Sequence, residues 1–140
     1  MPIRGLLIAV LLLTVSPQTQ PRSPIHVESL VYPSIARYAR IQGDVVLVAQ
    51  IGSDGRVSIP IRKSGHPILL QAAEDNLKTW KFQSGEDLEM EITYHFKIEG
   101  EPTYGDPGTR CSFDLPNSVT VVTRPPGVET NYSSQQKHGH

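Results

Sequence analysis

His26, His66 and His95, with the single thiol of Cys111, are among the side chains of this 140-residue chain whose types could support nucleophilic or metal chemistry. A Cys–His pair would need the imidazole to take the thiol proton and leave a thiolate nucleophile. No sequence word here sets a histidine beside Cys111 for that purpose. His66 precedes a proline, as turn and cap residues do, and His95 falls on the solvent side of an alternating stretch. One cysteine excludes an intramolecular disulfide and a thiolate-rich zinc site. His138-Gly139-His140 could scavenge a metal, but it closes a polar tail. G-x-S-x-G, H-E-x-x-H and phosphate-cradling glycine loops are absent, and Gly52 to Gly55 reads as turn chemistry around Asp54-Gly55. The expectation is a protein that is not an enzyme, with no cofactor, no metal and no small-molecule substrate.

The remaining chemistry is electrostatic. Glu86, Asp87, Glu89 and Glu91 make an acidic run, ordinarily a solvated face, that could also steer a basic segment of a partner. The formal net charge is −1, with no dense Lys/Arg patch, so nucleic acid is not an expected partner.

The elements that position these residues follow from periodicity. Arg4 precedes the apolar run Gly5 to Val15, which as a helix would span about 16 Å, half a bilayer's hydrocarbon core. That length fits a secretory h-region, although no A-x-A precedes Pro17 or Pro21, and an uncleaved anchor is the alternative. Residues 1–20 are read as a signal peptide or short apolar segment, and 21–29 as a linker. Residues 30–124 are read as one domain, and 125–140 as a disordered tail. Within the domain, Ile35, Tyr38 and Ala39 have helical spacing after Pro33, which suits a first helical turn, so a short helix is expected from Pro33 to Arg40. Asp44 to Gly52 alternates and is apolar on both faces, as a central strand requires. Asp54-Gly55 turns the chain into a second strand, Arg56 to Arg62, whose Pro60 marks a sheet edge.

Ser64-Gly65-His66-Pro67 opens the main helix, with Leu69, Leu70, Ala73, Leu77 and Trp80 along one stripe. Leu88 to Glu99 alternates cleanly, Leu88, Met90, Ile92, Tyr94, Phe96 and Ile98 inward. Gly100 to Cys111 reads as loop, and Asn117 to Arg124 as a short further strand. The fold class is thus α+β, order α-β-β-α-β(-β). It is a small antiparallel sheet of three core strands, with an optional fourth, and two helices packed on one face.

These words resemble the C-terminal domain of the TonB energy-transducer family. The resemblance rests on Tyr32-Pro33 with Ala36-Arg37, Ile41-Gln42-Gly43 with Val45-Val46, and Asp54-Gly55-Arg56-Val57. Ser64-Gly65-His66-Pro67 with Leu70, Ala72 and Ala73 follows, and then Trp80-Lys81-Phe82. It covers about Leu30 to Ile98. It implies a periplasmic module that accepts an extended peptide from an outer-membrane transporter, or another envelope protein, by strand addition to its last core strand. The partner-binding residues carried over are Val31, Tyr32 and Pro33 before the first helix, and Glu89, Glu91, Thr93, His95 and Lys97 on that strand. Two departures stand out. Ser29-Leu30-Val31 lacks the glutamine of the best-known members, and the linker Ser16 to Pro24 would reach only about 30 Å. Binding is therefore expected rather than transduction across two membranes. Val119 to Arg124 would compete for the same strand in cis. The alternative function is a structural envelope protein that associates with a second copy of itself, a homodimer, through that edge.

Overall fold

The computed structural model describes residues 22–128. The apolar run read as a signal peptide, and the tail beyond Val128 with its two histidines, lie outside them. The element order is β1 (Pro24–His26), α1 (Ser34–Tyr38), β2 (Gly43–Ile51), β3 (Ile61–Ser64), α2 (Pro67–Leu77), β4 (Lys81–Phe82), β5 (Leu88–Ile98), β6 (Arg110–Asp114) and β7 (Ser118–Thr123). Among the described residues no helix is long and apolar enough to cross a membrane.

The expected three-stranded antiparallel sheet with two helices on one face is overturned. The main sheet has five strands in the order β3-β2-β5-β7-β6, and a separate two-stranded sheet joins β1 to β4. The main sheet is mixed, because β7 runs parallel to β5 while the other neighbours are antiparallel. Three strands, β1, β4 and β6, escape a periodicity reading for physical reasons. β6 shows only Cys111 and Phe113 as apolar alternates in five residues, too short a pattern to separate from loop. β1 lies inside the stretch read as linker, and its pairing with β4 depends on a partner over fifty residues away in sequence. The hairpin also differs from expectation. Val57 meets Ile51 through an isolated bridge, and β3 proper begins only after Pro60, whose missing N–H interrupts the ladder.

One face of the main sheet carries the core. Val45, Leu47, Ala49, Ile51, Ile92, Tyr94, Phe96, Val119 and Val121 are fully buried there with Leu69, Ala73, Leu77 and Trp80 of the α2 region. The α2 stripe thus packs as its spacing requires. His66 caps this helix, its Nδ1 accepting from the Ile68 N–H at 3.2 Å, and Pro67 follows at the first helical position. Gly65 precedes the cap with φ of 125°, and a Cβ there would sit 2.4 Å from the Val45 side chain.

α1 reverses its expected face. Ala36 and Arg37 are buried, whereas Ile35 and Tyr38 are 70% and 67% exposed. A five-residue helix has one turn to bury. The small Ala36 allows close approach to the core, and Arg37 reaches carbonyl oxygens at the far end of the chain.

Candidate functional site

Strand edges are the functional question, because an unpaired edge presents free N–H and C=O groups to any extended partner. β5 lies inside the sheet. It pairs with β2 from Leu88↔Ile51 to Phe96↔Gly43. On its other side β7 pairs only from Thr93↔Ser118 to Ile98↔Thr123. The Thr93 N–H donates to the Asn117 carbonyl at 3.0 Å, and the Glu99 N–H to that of Thr123 at 2.9 Å. Odd-numbered residues of β5 therefore aim their backbone groups at β7, since successive N–H groups alternate along a strand. Thr93, His95 and Lys97 have those groups engaged. Glu89 and Glu91 aim theirs past the start of β7, and among the described residues no backbone group meets them. The open part of β5 is thus Leu88–Ile92.

The expected partner-binding residues fall into two groups. Glu89, Glu91, Thr93, His95 and Lys97 share the solvent face of the sheet, opposite the core. There the Lys63 ammonium meets the Glu91 carboxylate at 2.6 Å, Gln50 donates to Glu89 at 3.2 Å, and His95 Nδ1 lies 2.7 Å from Asp44 Oδ1. Tyr32 belongs to the core face. Its ring packs edge-on to Phe96 at 5.5 Å, its hydroxyl donates to the Ile41 carbonyl at 2.5 Å, and burial pushes its phenol up to about 12. Val31 beside it is exposed and Pro33 half-buried. This group lies on the core side by Phe96, opposite the solvent face that carries the β5 residues, and about 24 Å along the strand from Glu89 at the open end.

Near the open stretch, a cleft of about 520 Å³ is lined by Ile51, Arg56, Val57, Asp87, Leu88 and Glu89. It mixes apolar wall with acidic rim at the entry of β5. Elsewhere the Arg62 guanidinium bonds Glu74 at 2.6 Å and, with Lys78 at 3.3 Å, holds the Glu74 carboxyl below its ordinary range.

The Cys–His reading finds no support in the geometry. Cys111 pairs with Val121 on the core side of β6, while His95 lies on the opposite face of the sheet. Burial raises the Cys111 thiol, with the Leu30 backbone pulling the other way, and a raised thiol is a poor source of thiolate.

Two groups that tie the elements together were not among the expected site residues, Arg37 having entered only within the Ala36-Arg37 pair of the resemblance. Asn76 is buried; its Nδ2 donates to the Glu28 carbonyl at 2.8 Å, and its Oδ1 accepts from Trp80 Nε1 at 3.0 Å and from the Tyr94 hydroxyl at 2.9 Å. It thereby ties the segment before α1, α2 and β5 together. Arg37 donates from Nε to the Arg124 carbonyl at 2.7 Å, and from one terminal nitrogen to those of Thr103 at 3.2 Å and Pro125 at 3.3 Å. The spacing of Asn76 to Trp80, one helical turn, is the only sequence signal for the first. Nothing local announces the second, because its partners lie 66 to 88 residues away.

A short helix, a hairpin, a capped helix and a long β-strand whose first residues lack a neighbour on one side make up a small helix-and-sheet module. The chain belongs to the family of the Gram-negative bacterial TonB protein C-terminal domain, whose sequence profile matches residues 28–99. This places a TonB-like domain, of the periplasmic class linked to TonB-dependent transport, over α1 through β5. No curated protein matches the sequence. The match ends at Glu99, so β6 and β7 lie outside it.

Proposed function

We propose that this chain is exported to the periplasm and acts there as a TonB-like protein-binding module, taking an extended peptide by strand addition. The partner is a TonB-dependent outer-membrane transporter or another envelope protein with an exposed extended segment. The docking strand is β5 at Leu88–Ile92, where Glu89 and Glu91 offer backbone donors and acceptors. Thr93, His95 and Lys97 continue the solvent face beside it and would meet partner side chains. Val31, Tyr32 and Pro33 would form a second contact near the far end of β5, with Val31 as its exposed member. The acidic rim of Asp87 and Glu89 favours a basic residue in the peptide. Binding rather than catalysis is the activity.

The observation that carries the reading is the unpaired backbone of Glu89 and Glu91 on the last strand of the family match. Its test is titration of the full chain with a transporter box peptide, followed by calorimetry or peptide fluorescence. Glu91→Pro removes one outward donor while leaving the β2 ladder, which uses even-numbered residues of β5, intact. The variant should keep its circular dichroism and lose peptide affinity roughly tenfold, the cost of about one hydrogen bond. Unchanged affinity in a folded Glu91→Pro variant would remove β5 as the docking strand.

A further inference from the structure

The main sheet ends in β3 on one side and β6 on the other, and the two edges are built differently. β3 follows Pro60 and carries Arg62 and Lys63 side by side, the usual protection against edge pairing. β6 reads Arg110-Cys111-Ser112-Phe113-Asp114, with no proline or lysine. Its outward groups follow from the ladder. Odd-numbered residues of β7 aim their backbone at β5, since Asn117 and Thr123 carbonyls accept from that strand. Even-numbered residues of β7 therefore bond β6, pairing Ser118↔Asp114, Thr120↔Ser112 and Val122↔Arg110. That leaves the N–H and C=O of Cys111 and Phe113 pointing away from the sheet. Among the described residues none of these groups has a backbone partner.

The sequence of this edge is complementary to itself when reversed. An antiparallel copy related by a two-fold axis through Ser112 sets Cys111 opposite Phe113 and Phe113 opposite Cys111. Those are the residues with outward donors and acceptors, so each pair exchanges two hydrogen bonds and four form in all. Ser112 faces Ser112, and Arg110 faces Asp114 twice, on the exposed face of the sheet. Arg110, Ser112 and Asp114 are all exposed, and among the described residues neither Arg110 nor Asp114 takes part in an ion pair. The same operation at β3 would instead bring Arg62 and Lys63 of two copies together, and like charges oppose pairing.

We propose that the outer edge of β6 is a self-association surface, occupied by a second copy of this chain in antiparallel register about Ser112. The two five-stranded sheets then become continuous. This surface lies outside the family match and is independent of peptide docking at β5, so either can fail without the other. The contact is one short strand per copy, so the dimer is weak and reversible and its population follows concentration.

Charge exchange tests both occupant and register. Arg110→Asp gives the edge two acidic ends, and Asp114→Arg gives it two basic ends. In sedimentation velocity on the full chain, each variant should self-associate at least roughly tenfold more weakly than wild type, because two attractive pairs become repulsive. An equimolar mixture of the two should dimerise, since each edge then meets its opposite. Ser112→Cys adds a geometric readout. Across the axis the two positions form a non-hydrogen-bonded pair about 4.5 Å apart at Cα, within disulfide reach. Mild copper-phenanthroline oxidation should cross-link it, whereas wild type, with Cys111 opposite Phe113, should remain largely uncross-linked. A chain that stays monomeric into the millimolar range overturns the proposal and leaves the edge to a foreign strand. A dimer indifferent to both reversals and to mixing overturns it too, placing association elsewhere on the chain.

Discussion

Asn76 shows how one residue can join three elements. From α2, its amide meets the turn after that helix through Trp80, β5 through Tyr94 and the segment before α1 through Glu28, all at hydrogen-bonding distance. Trp80 and Tyr94 are almost wholly buried, so their polar tips would otherwise be stranded in the core. Burial drives the Tyr94 phenol well above its ordinary value, which keeps it neutral and available as a donor. Asn76→Ala should therefore lower stability by about 2–4 kcal/mol, since two buried donors lose their acceptor at once. Urea unfolding followed by Trp80 fluorescence measures this directly. A shift below about 0.5 kcal/mol would mean that the amide is replaced by water, and the three-way tie would carry little. Asn76→Asp keeps an acceptor for both rings and loses only the donor to Glu28, so it should cost less near pH 4 than at neutrality, where its charge is buried.

At the scale of elements, α2 and the alternation of β5 were legible because each satisfies its period within its own residues. Leu69, Leu70, Ala73 and Leu77 repeat at helical spacing, and Ile92, Tyr94 and Phe96 at a period of two, with all seven buried. β7 was legible as a strand from its β-branched run, but its parallel direction was not, since that depends on where the chain returns after residue 100. β6 was illegible because two apolar alternates in five residues are too short a pattern to separate from loop, and with it went the true sheet edge. The placement of β7 decides what truncation after Pro116 would do. β7 covers the β5 backbone from Thr93 onward and also places Val119, Val121 and Thr123 in the core at 0% exposure. Phe113 of β6 packs on Trp80 at 6.0 Å. A strand held by core side chains is not a loose cap, because each buried valine truncated to alanine costs roughly 1–3 kcal/mol. Truncation after Pro116 should thus destabilise the whole domain and raise its binding of hydrophobic dye. A folded, stable truncated protein with a newly receptive β5 would show instead that β7 is a displaceable strand.

At the scale of the whole described chain, the family match covers residues 28–99, and the β6–β7 hairpin beyond it packs into the same core. Arg37 is the clearest sign of that integration. Its guanidinium, on the first helix of the family match, bonds the carbonyls of Thr103, Arg124 and Pro125 beyond it. It is only 6% exposed, and each of these hydrogen-bond partners is a neutral carbonyl. A buried cation is tolerated only when its donors are met, so the position of residues 103–125 and the burial of Arg37 require each other. The chain should then unfold as one cooperative unit, despite the family boundary at Glu99. Circular dichroism of the sheet and fluorescence of Trp80 should give coincident thermal transitions. Arg37→Met should shift that single transition downward by about 2–4 kcal/mol in stability, as charge-assisted hydrogen bonds are lost and the Arg124 carbonyl loses its donor, while the Thr103 and Pro125 carbonyls keep the Gly127 and Thr103 N–H groups. It should not split it, because Val119, Val121 and Phe113 still join the hairpin to the core. Two resolved transitions in wild type would show that residues 100–128 are an independent appendage, and an unsplit but unshifted melt in Arg37→Met would show that the guanidinium is a passenger in its pocket.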